Sequence, residues 1–198
     1  MDRRASAVRL TGFEAIEAVI MPTRRLRIDE IPQLLTRYNG DHPHEDDDLV
    51  ARRKRIQKDG KMLLEDLCAV CKWKAPRAAR HARKNTSQEV EEITALAFGA
   101  RSERVRVEVL QVLHGVKYPT ASVILHFFHS DVYPILDFRA LWSMGVAQPS
   151  QYTFEFWWEY VRVCRKLFAQ VRCSFPELSM REVDRALWQF SKERQRSG

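Results

Sequence analysis

Three stretches of the chain carry residue types whose order could do chemistry. The first is Leu113-His-Gly-Val-Lys-Tyr-Pro-Thr-Ala121, which lies between two apolar segments. Gly115 permits a tight turn, Pro119 is preset for a first helical turn, and the open amides of a helix start can hold an anion with help from the helix dipole. The stretch containing Gly115, Val116, Lys117, Tyr118 and Thr120 is therefore a candidate phosphate grip. The second is Tyr133-Pro-Ile-Leu-Asp137 followed by Phe138-Arg-Ala-Leu-Trp-Ser-Met-Gly145, which puts Asp137 eighteen residues after Pro119 (137 − 119) and at an expected helix start. Asp is among the favoured N-caps, and that role alone accounts for it. The third is Pro76-Arg-Ala-Ala-Arg-His-Ala-Arg-Lys84, read as a short helix with Arg77, Arg80, His81 and Lys84 on one face. Such a stripe can follow a phosphate backbone, and a solvated helix face accounts for the same charges.

Two other groupings point away from chemistry. Cys68 and Cys71 fall on an apolar helical stripe with Leu63, Leu64, Leu67 and Val70, and no second Cys pair or Cys/His cluster lies near to complete a zinc site. His42 and His44, beside Glu45, Asp46, Asp47 and Asp48, read as a solvated loop rather than a metal site. No metal and no cofactor is expected.

Composition sets the frame for these residues. The chain has 198 residues, 33 Lys+Arg against 26 Asp+Glu, a net charge of +7, and 45% hydrophobic residues. With a pI near 9.4 it suits an anionic partner, nucleic acid first, and it is neither collagen-like nor of low complexity. Basic side chains gather on both sides of one apolar segment, from Arg52 to Lys61 and from Lys72 to Lys84. Four cysteines, too few for a disulfide framework, read as thiols in a reducing compartment. No apolar run is long enough to span a membrane and no secretory signal is evident, so a cytoplasmic location is expected.

The positioning elements read as helices throughout. Thr11 with Glu14, Thr86 with Glu89, and Ser179 with Glu182 form capping boxes that predict helix starts. One helix should run through Phe13, Ile16, Val19 and Ile20, and a second, opened by Asp29, through Ile31, Leu34, Leu35 and Tyr38 until Asn39-Gly40 ends it. Val90, Ile93 and Ala97 mark a helix stopped by Gly99. Arg104-Val-Arg-Val-Glu-Val109 alternates as a strand would, yet Val105, Val109, Val112 and Leu113 also fit a helix face, and a lone strand has no sheet to join. Helix is therefore expected. A stripe from Phe154 through Trp157, Trp158, Val161, Cys164 and Phe168 to Val171, then Val183, Leu187 and Phe190, predicts two closing core helices. The organisation is an N-terminal helical segment 1–48 and a helical domain 49–198, or one domain over 1–198.

Together the turn and Asp137 resemble the helix-hairpin-helix DNA glycosylase superfamily. Its signature runs Leu-Pro-Gly-Val-Gly-x-x-Thr-Ala, with an aspartate opening a helix at this same interval. Leu113, Gly115, Val116, Thr120 and Ala121 occupy signature positions, and Pro-Ile-Leu-Asp137 looks closest to the adenine-specific branch. The resemblance spans about 35 of the 198 residues. Upstream, Met62 to Cys71 followed by Lys72-Trp-Lys-Ala-Pro-Arg77 looks like the family's helix and base-wedging loop.

The resemblance implies an all-α, helix-hairpin-helix glycosylase-like bundle that binds double-stranded DNA and excises a damaged or mismatched base in base-excision repair. In that family the hairpin amides hold a phosphate, the nucleotide is rotated out of the duplex, and the aspartate assists cleavage of the base–sugar bond. Asp137 would be catalytic, Arg77, Arg80 and Lys84 would hold phosphates, and Trp73, Lys74 and Arg139 would serve as wedge or pocket residues. Arg139 would orient the Asp137 carboxylate or pair elsewhere. Bifunctional members carry a nucleophilic lysine where this chain has Pro119, so a glycosylase without lyase activity is implied. Three features depart from the pattern: Lys117 stands at the second glycine, the C-terminal iron–sulfur cysteines are missing, and the stretch from Lys84 to Leu113 is short. The competing expectations are a non-catalytic DNA-binding module and a protein-interaction domain.

Overall fold

A computed structural model of the chain describes residues 26–195, and of Ala78 the backbone alone. The expected helix through Phe13 to Ile20, with its Thr11–Glu14 box, lies outside the described residues. Among those described there is no strand. After a 3-10 turn at Ile28–Glu30 come α1 (Ile31–Asp41), α2 (Asp47–Asp59) and α3 (Leu64–Lys74). A second 3-10 turn, Pro76–Ala78, leads into the single turn α4 (Ala79–Ala82), followed by α5 (Ser87–Gly99) and α6 (Glu103–Leu110). The chain closes with α7 (Tyr118–Phe128), α8 (Phe138–Ser143), α9 (Phe154–Ser174) and α10 (Met180–Arg194).

Local chemistry sets several of these boundaries. At α5 the Thr86 hydroxyl accepts the Glu89 N–H at 3.1 Å while the Glu89 carboxylate takes the Thr86 N–H at 2.6 Å. At α10 the Glu182 carboxylate accepts the Ser179 N–H at 2.6 Å. Gly99 is the last residue of α5, as expected. Two expectations near the start are corrected. Asp29 does not open a helix: it lies in the 3-10 turn, and α1 begins at Ile31 with Pro32 in its first turn. Nor does Asn39-Gly40 end α1, because the His42 N–H still reaches the Tyr38 carbonyl at 2.9 Å and Lys192 anchors Asp41 at 3.0 Å.

The alternating stretch from Arg104 to Val109 is helical, but its inner face is not the one read from the valines. Val107 and Leu110 are buried with Arg106, whereas Val105 and Val112 face outward, Val112 at 69% exposure. The Arg106 guanidinium settles the matter. Its Nη1 donates to the Tyr133 hydroxyl at 2.6 Å and pairs with Glu103 at 3.0 Å, and its Nη2 donates to the Ala100 carbonyl. A buried cation is tolerable when paired and hydrogen-bonded in this way, so charge replaces a valine at the core position.

The centre of the molecule is α7, apolar nearly all round, as a core helix is. It packs against α2, α3 and α6, while α10 packs on α1 and α8, and α9 meets α6 and α10. Burial of Val123, Ile124, Leu125, Phe127 and Phe128 stabilises the fold by about 1.5–3 kcal/mol each. One hydrophobic core includes residues from both sides of position 48, from Leu26, Ile31 and Leu34 to Leu49 and beyond.

Between α7 and α8 the stretch Tyr133-Pro-Ile-Leu136 is buried without forming a helix, so its backbone polar groups need partners. The Ile135 N–H donates to Asp184 at 3.2 Å, the Ile135 carbonyl accepts the Tyr160 hydroxyl at 2.8 Å, and the Leu136 N–H donates to Ser122 Oγ at 2.9 Å. Tyr133 is fixed by Arg106 and Glu103 and stacks on Trp157 with ring centroids 6.0 Å apart. Four neighbouring helices, α6, α7, α9 and α10, thereby hold the stretch that leads to Asp137.

Candidate functional site: an acidic cleft beside a cationic turn

Asp137 is the N-cap of α8. Its Oδ1 accepts the Arg139 N–H at 2.9 Å, and its Oδ2 is paired with Lys74 Nζ, from the last turn of α3, at 2.8 Å. The pair is only partly desolvated: the side chains of Lys74 and Asp137 are 11% and 22% exposed. It is the Arg139 backbone that orients the carboxylate. The Arg139 guanidinium points elsewhere, 5.1 Å from the Phe138 ring and 5.2 Å from the Trp188 ring, with Gln195 at 3.5 Å.

This pair lies on the wall of a partly open cleft of about 110 Å³, which Tyr38, Glu45, Trp73, Ile135, Ala140, Arg181, Asp184 and Trp188 complete. The hollow is of the order of one planar ring, since roughly 150 Å³ accommodates benzene. Its aromatic walls are braced from behind. The Trp73 indole N–H donates to the Glu45 carbonyl at 3.1 Å, and its ring meets Phe127 edge-on at 5.6 Å, so the candidate wedge residue is a wall of the cleft. Tyr38 donates its hydroxyl to Glu45. Arg181 grips Asp46 through Nε at 2.6 Å and Nη2 at 2.9 Å, and Arg185 adds a third contact at 2.9 Å.

The loop expected to be solvated thus turns inward at Asp46. Burial works against the Asp46 charge, but the hydrogen bonds and charge of Arg181, with Arg185 behind, prevail and hold its carboxyl below the usual range. His42 leaves the loop to lie against Trp188 with centroids 5.1 Å apart, and His44 pairs with Asp47 at 2.8 Å. Among the described residues no three metal-binding side chains converge.

A second carboxyl, Asp184, also lines the cleft. It is 5% exposed, and burial pushes it up to about 8 against the opposing pull of Arg181, the Ile135 amide and Lys74. Its Oδ2 receives the Ile135 N–H and lies 3.4 Å from His126 Nδ1; its Oδ1 has no hydrogen-bond partner among the described residues. Burial, with Arg181 next, lowers His126 to about 4, so this ring is neutral and its Nδ1–H donates to the Tyr133 carbonyl at 2.6 Å.

The turn between α6 and α7 has the expected form. Gly115 takes φ +88°, the Val116 N–H closes on the Leu113 carbonyl at 3.1 Å, and Pro119 sits in the first turn of α7. Of the grip residues, Val116, Tyr118 and Thr120 have their side chains in the interior, whereas Lys117 is exposed. The Val116 N–H is spent on the turn, so anion contact at Tyr118 and Thr120 must come from their backbone amides, as a helix start allows.

Arg77, Arg80 and Lys84 are exposed, and among the described residues none has an acidic partner. The upstream basic run differs: Arg52 and Arg55 converge on buried Asp66 at 2.9 and 2.6 Å, and Lys61 pairs with Glu91 at 2.6 Å. Arg53, Lys54 and Lys58 of that run, like Arg77, Arg80 and Lys84, are exposed and have no acidic partner among the described residues. Asn85 ties the second half of the cluster to the turn. Its Nδ2 donates to the Ala82 and His114 carbonyls at 2.8 and 3.0 Å, and its Oδ1 accepts the His114 N–H at 2.8 Å. On the other side, Cys71 Sγ lies 3.7 Å from the Gly115 carbonyl, and burial pushes that thiol up to about 12.

Asp184, Arg181, Trp188, Tyr38 and Asn85 are the residues that sequence reasoning passed over. Asp184 left a trace, an acid three residues before Leu187 on the apolar stripe of the last helix. Asn85 left none apart from its place next to the Thr86 cap. Comparison of the chain with models of protein families, with curated proteins and with solved structures gave no match.

Proposed function

We propose that the chain is a helix-hairpin-helix DNA-binding protein that acts as a monofunctional DNA N-glycosylase. The turn at Gly115 and the start of α7 would hold one phosphate through backbone amides, with Lys117, Arg77, Arg80 and Lys84 neutralising its neighbours. A nucleotide rotated from the duplex would place its base in the cleft between Trp73, Tyr38 and Trp188 and its sugar near Asp137. As the base–sugar bond lengthens, the sugar gains positive charge, which the Asp137 carboxylate stabilises while helping to orient the attacking water.

The observation that carries this reading is one of placement. An open, aromatic-walled cleft contains Asp137, and the helix that delivers Lys74 to it runs directly into the cationic segment that Asn85 clamps to the turn. The test is a set of duplexes each bearing one modified or mismatched base, scored for abasic sites with the wild type and Asp137→Asn. At least one duplex should release its base, Asp137→Asn should abolish release, and duplex affinity should stay within about twofold and fall steeply with salt. Release unchanged in the variant, or no release from any duplex, refutes the enzymatic reading.

The ion pair from Lys74 to Asp137 favours a second reading, a DNA-binding module whose acidic group is permanently neutralised. That module would show the same salt dependence and no abasic sites with any duplex.

A further inference from the structure

We propose that Glu45 sets the specificity of the cleft, its carboxylate accepting a hydrogen bond from an amino group on the edge of a single heteroaromatic ring. In taking that ring for an extruded base, the inference rests on the reading above.

The acids of the cleft wall are not equivalent. Glu45, Asp137 and Asp184 all line the hollow. Asp137 is used on both oxygens, by the Arg139 amide and by Lys74. Asp184 receives the Ile135 amide on Oδ2, and its Oδ1 is sealed from solvent, beyond the reach of a ligand. Glu45 differs from both. Its side chain is 36% exposed, its Oε2 takes the Tyr38 hydroxyl, and its Oε1 has no hydrogen-bond partner among the described residues.

Both ends of the residue are tied to the cleft. The Glu45 carbonyl accepts the Trp73 indole N–H at 3.1 Å, and its carboxylate meets the Tyr38 hydroxyl, with Arg181 Nη2 3.8 Å from Oε2. Tyr38, Trp73 and Arg181 are themselves lining residues, so the carboxylate lies at the edge of the hollow, beside the rings that would take the faces of a planar ligand. The next residue, Asp46, is locked by Arg181 and Arg185. A carboxylate held at so many points loses little freedom when a ligand arrives, and its hydrogen bond is the more selective for it.

The open oxygen decides the class of ligand. A carboxylate offers acceptors and no donor. The donors nearest to it are spent, Trp73 on the Glu45 carbonyl, Tyr38 on Oε2, Lys74 on Asp137 and Arg181 on Asp46. The complementary edge therefore carries an N–H, and an exocyclic amine on one six-membered ring supplies it within about 110 Å³. A methyl group in the same place has the same shape but strips water from the carboxylate without replacing its hydrogen bond.

Two probes of one shape separate these cases: 4-aminopyrimidine and 4-methylpyrimidine, which differ only in an amino against a methyl group. Each is titrated against the full chain in neutral buffer, with binding read from the methyl carbon–proton signals of Ile135 and Ala140 in the cleft wall. The wild type should bind the amino ring at least about tenfold more tightly than the methyl ring, the usual size of a hydrogen bond to a charged group. Glu45→Gln keeps an oxygen for the Tyr38 hydroxyl but turns the open position into an N–H donor, so the ratio should fall to about one. A Glu45 that only braces Tyr38 and Trp73 would weaken both rings together in that variant and leave the ratio at its wild-type value.

Equal affinities for the two rings in the wild type, a ratio that survives Glu45→Gln, or no binding of either ring overturns the inference. The outcomes also separate it from the DNA reading. Amine-dependent ring binding with no duplex bound refutes the DNA reading alone, and base release from a duplex without any ring preference refutes the role of Glu45 alone.

Discussion

Replacing Asp184 by asparagine should remove a specific pH dependence of stability. In the folded protein this carboxyl titrates at about 8, raised from the ordinary 3.8 by burial, so between those limits the native chain holds a proton that the unfolded chain has released. The stability this group contributes is fully present below the unfolded value and is lost as pH rises through the folded value, at about 1.4 kcal/mol per pH unit. From pH 5 to pH 7 the wild type should therefore lose about 3 kcal/mol relative to Asp184→Asn, whose amide does not titrate. His126, lowered to about 4, and Asp46 are common to both proteins and largely cancel in the difference. Urea unfolding of the two proteins at each pH measures it directly. A wild-type-to-variant gap that stays constant within about 0.5 kcal/mol across that range would show that Asp184 is ionised in the native state and refute the raised carboxyl.

Asn85→Ala leaves the His114 N–H and carbonyl without their side-chain partner, so it should cost about 1–3 kcal/mol in thermal denaturation and weaken duplex binding about tenfold. An Asn85→Ala protein with wild-type duplex affinity would show that turn and cationic segment need no clamp. Borohydride added during base release should trap no protein–DNA adduct, since Pro119 stands where a nucleophilic lysine would be needed and offers no amine. An adduct that disappears in Lys74→Met would instead make Lys74 a nucleophile.

How far the sequence carried depends on the range of the interactions involved. Helix starts at Thr86 and Ser179 were readable because both partners of each capping box lie within four residues. The turn was readable for the same reason: Gly115 and Pro119 impose their conformations locally. The inner face of α6 was not, since it depends on Arg106 finding Glu103 nearby but Tyr133 twenty-seven positions on, and nothing local distinguishes a paired arginine from a solvated one. The loop from His42 to Asp46 misled for a related reason. Four acids in a row suggest water, and only Arg181 and Arg185, more than 130 positions away, draw Asp46 inside. The same long reach hides the cleft, whose lining comes from both ends of the described chain.

Asp137 was visible in the sequence, but with two competing explanations, a helix cap or a chemical group. The geometry removes the need to choose, because the two oxygens of the carboxylate are engaged differently. Oδ1 takes the Arg139 amide and caps α8, while Oδ2 faces Lys74 at the cleft wall. Capping fixes the side-chain torsion with one oxygen and thereby aims the other, so a rigid cap is also a preorganised carboxylate. Lys74 is then the variable part. While its ammonium stays on Oδ2 the carboxylate is neutralised toward the cleft, and in the proposed complex a phosphate arriving beside α3 would compete with Asp137 for that same ammonium. Binding of an anionic strand would draw Lys74 away and leave the negative charge uncompensated where a positive sugar forms, which ties the DNA grip and the proposed chemistry to one movable side chain.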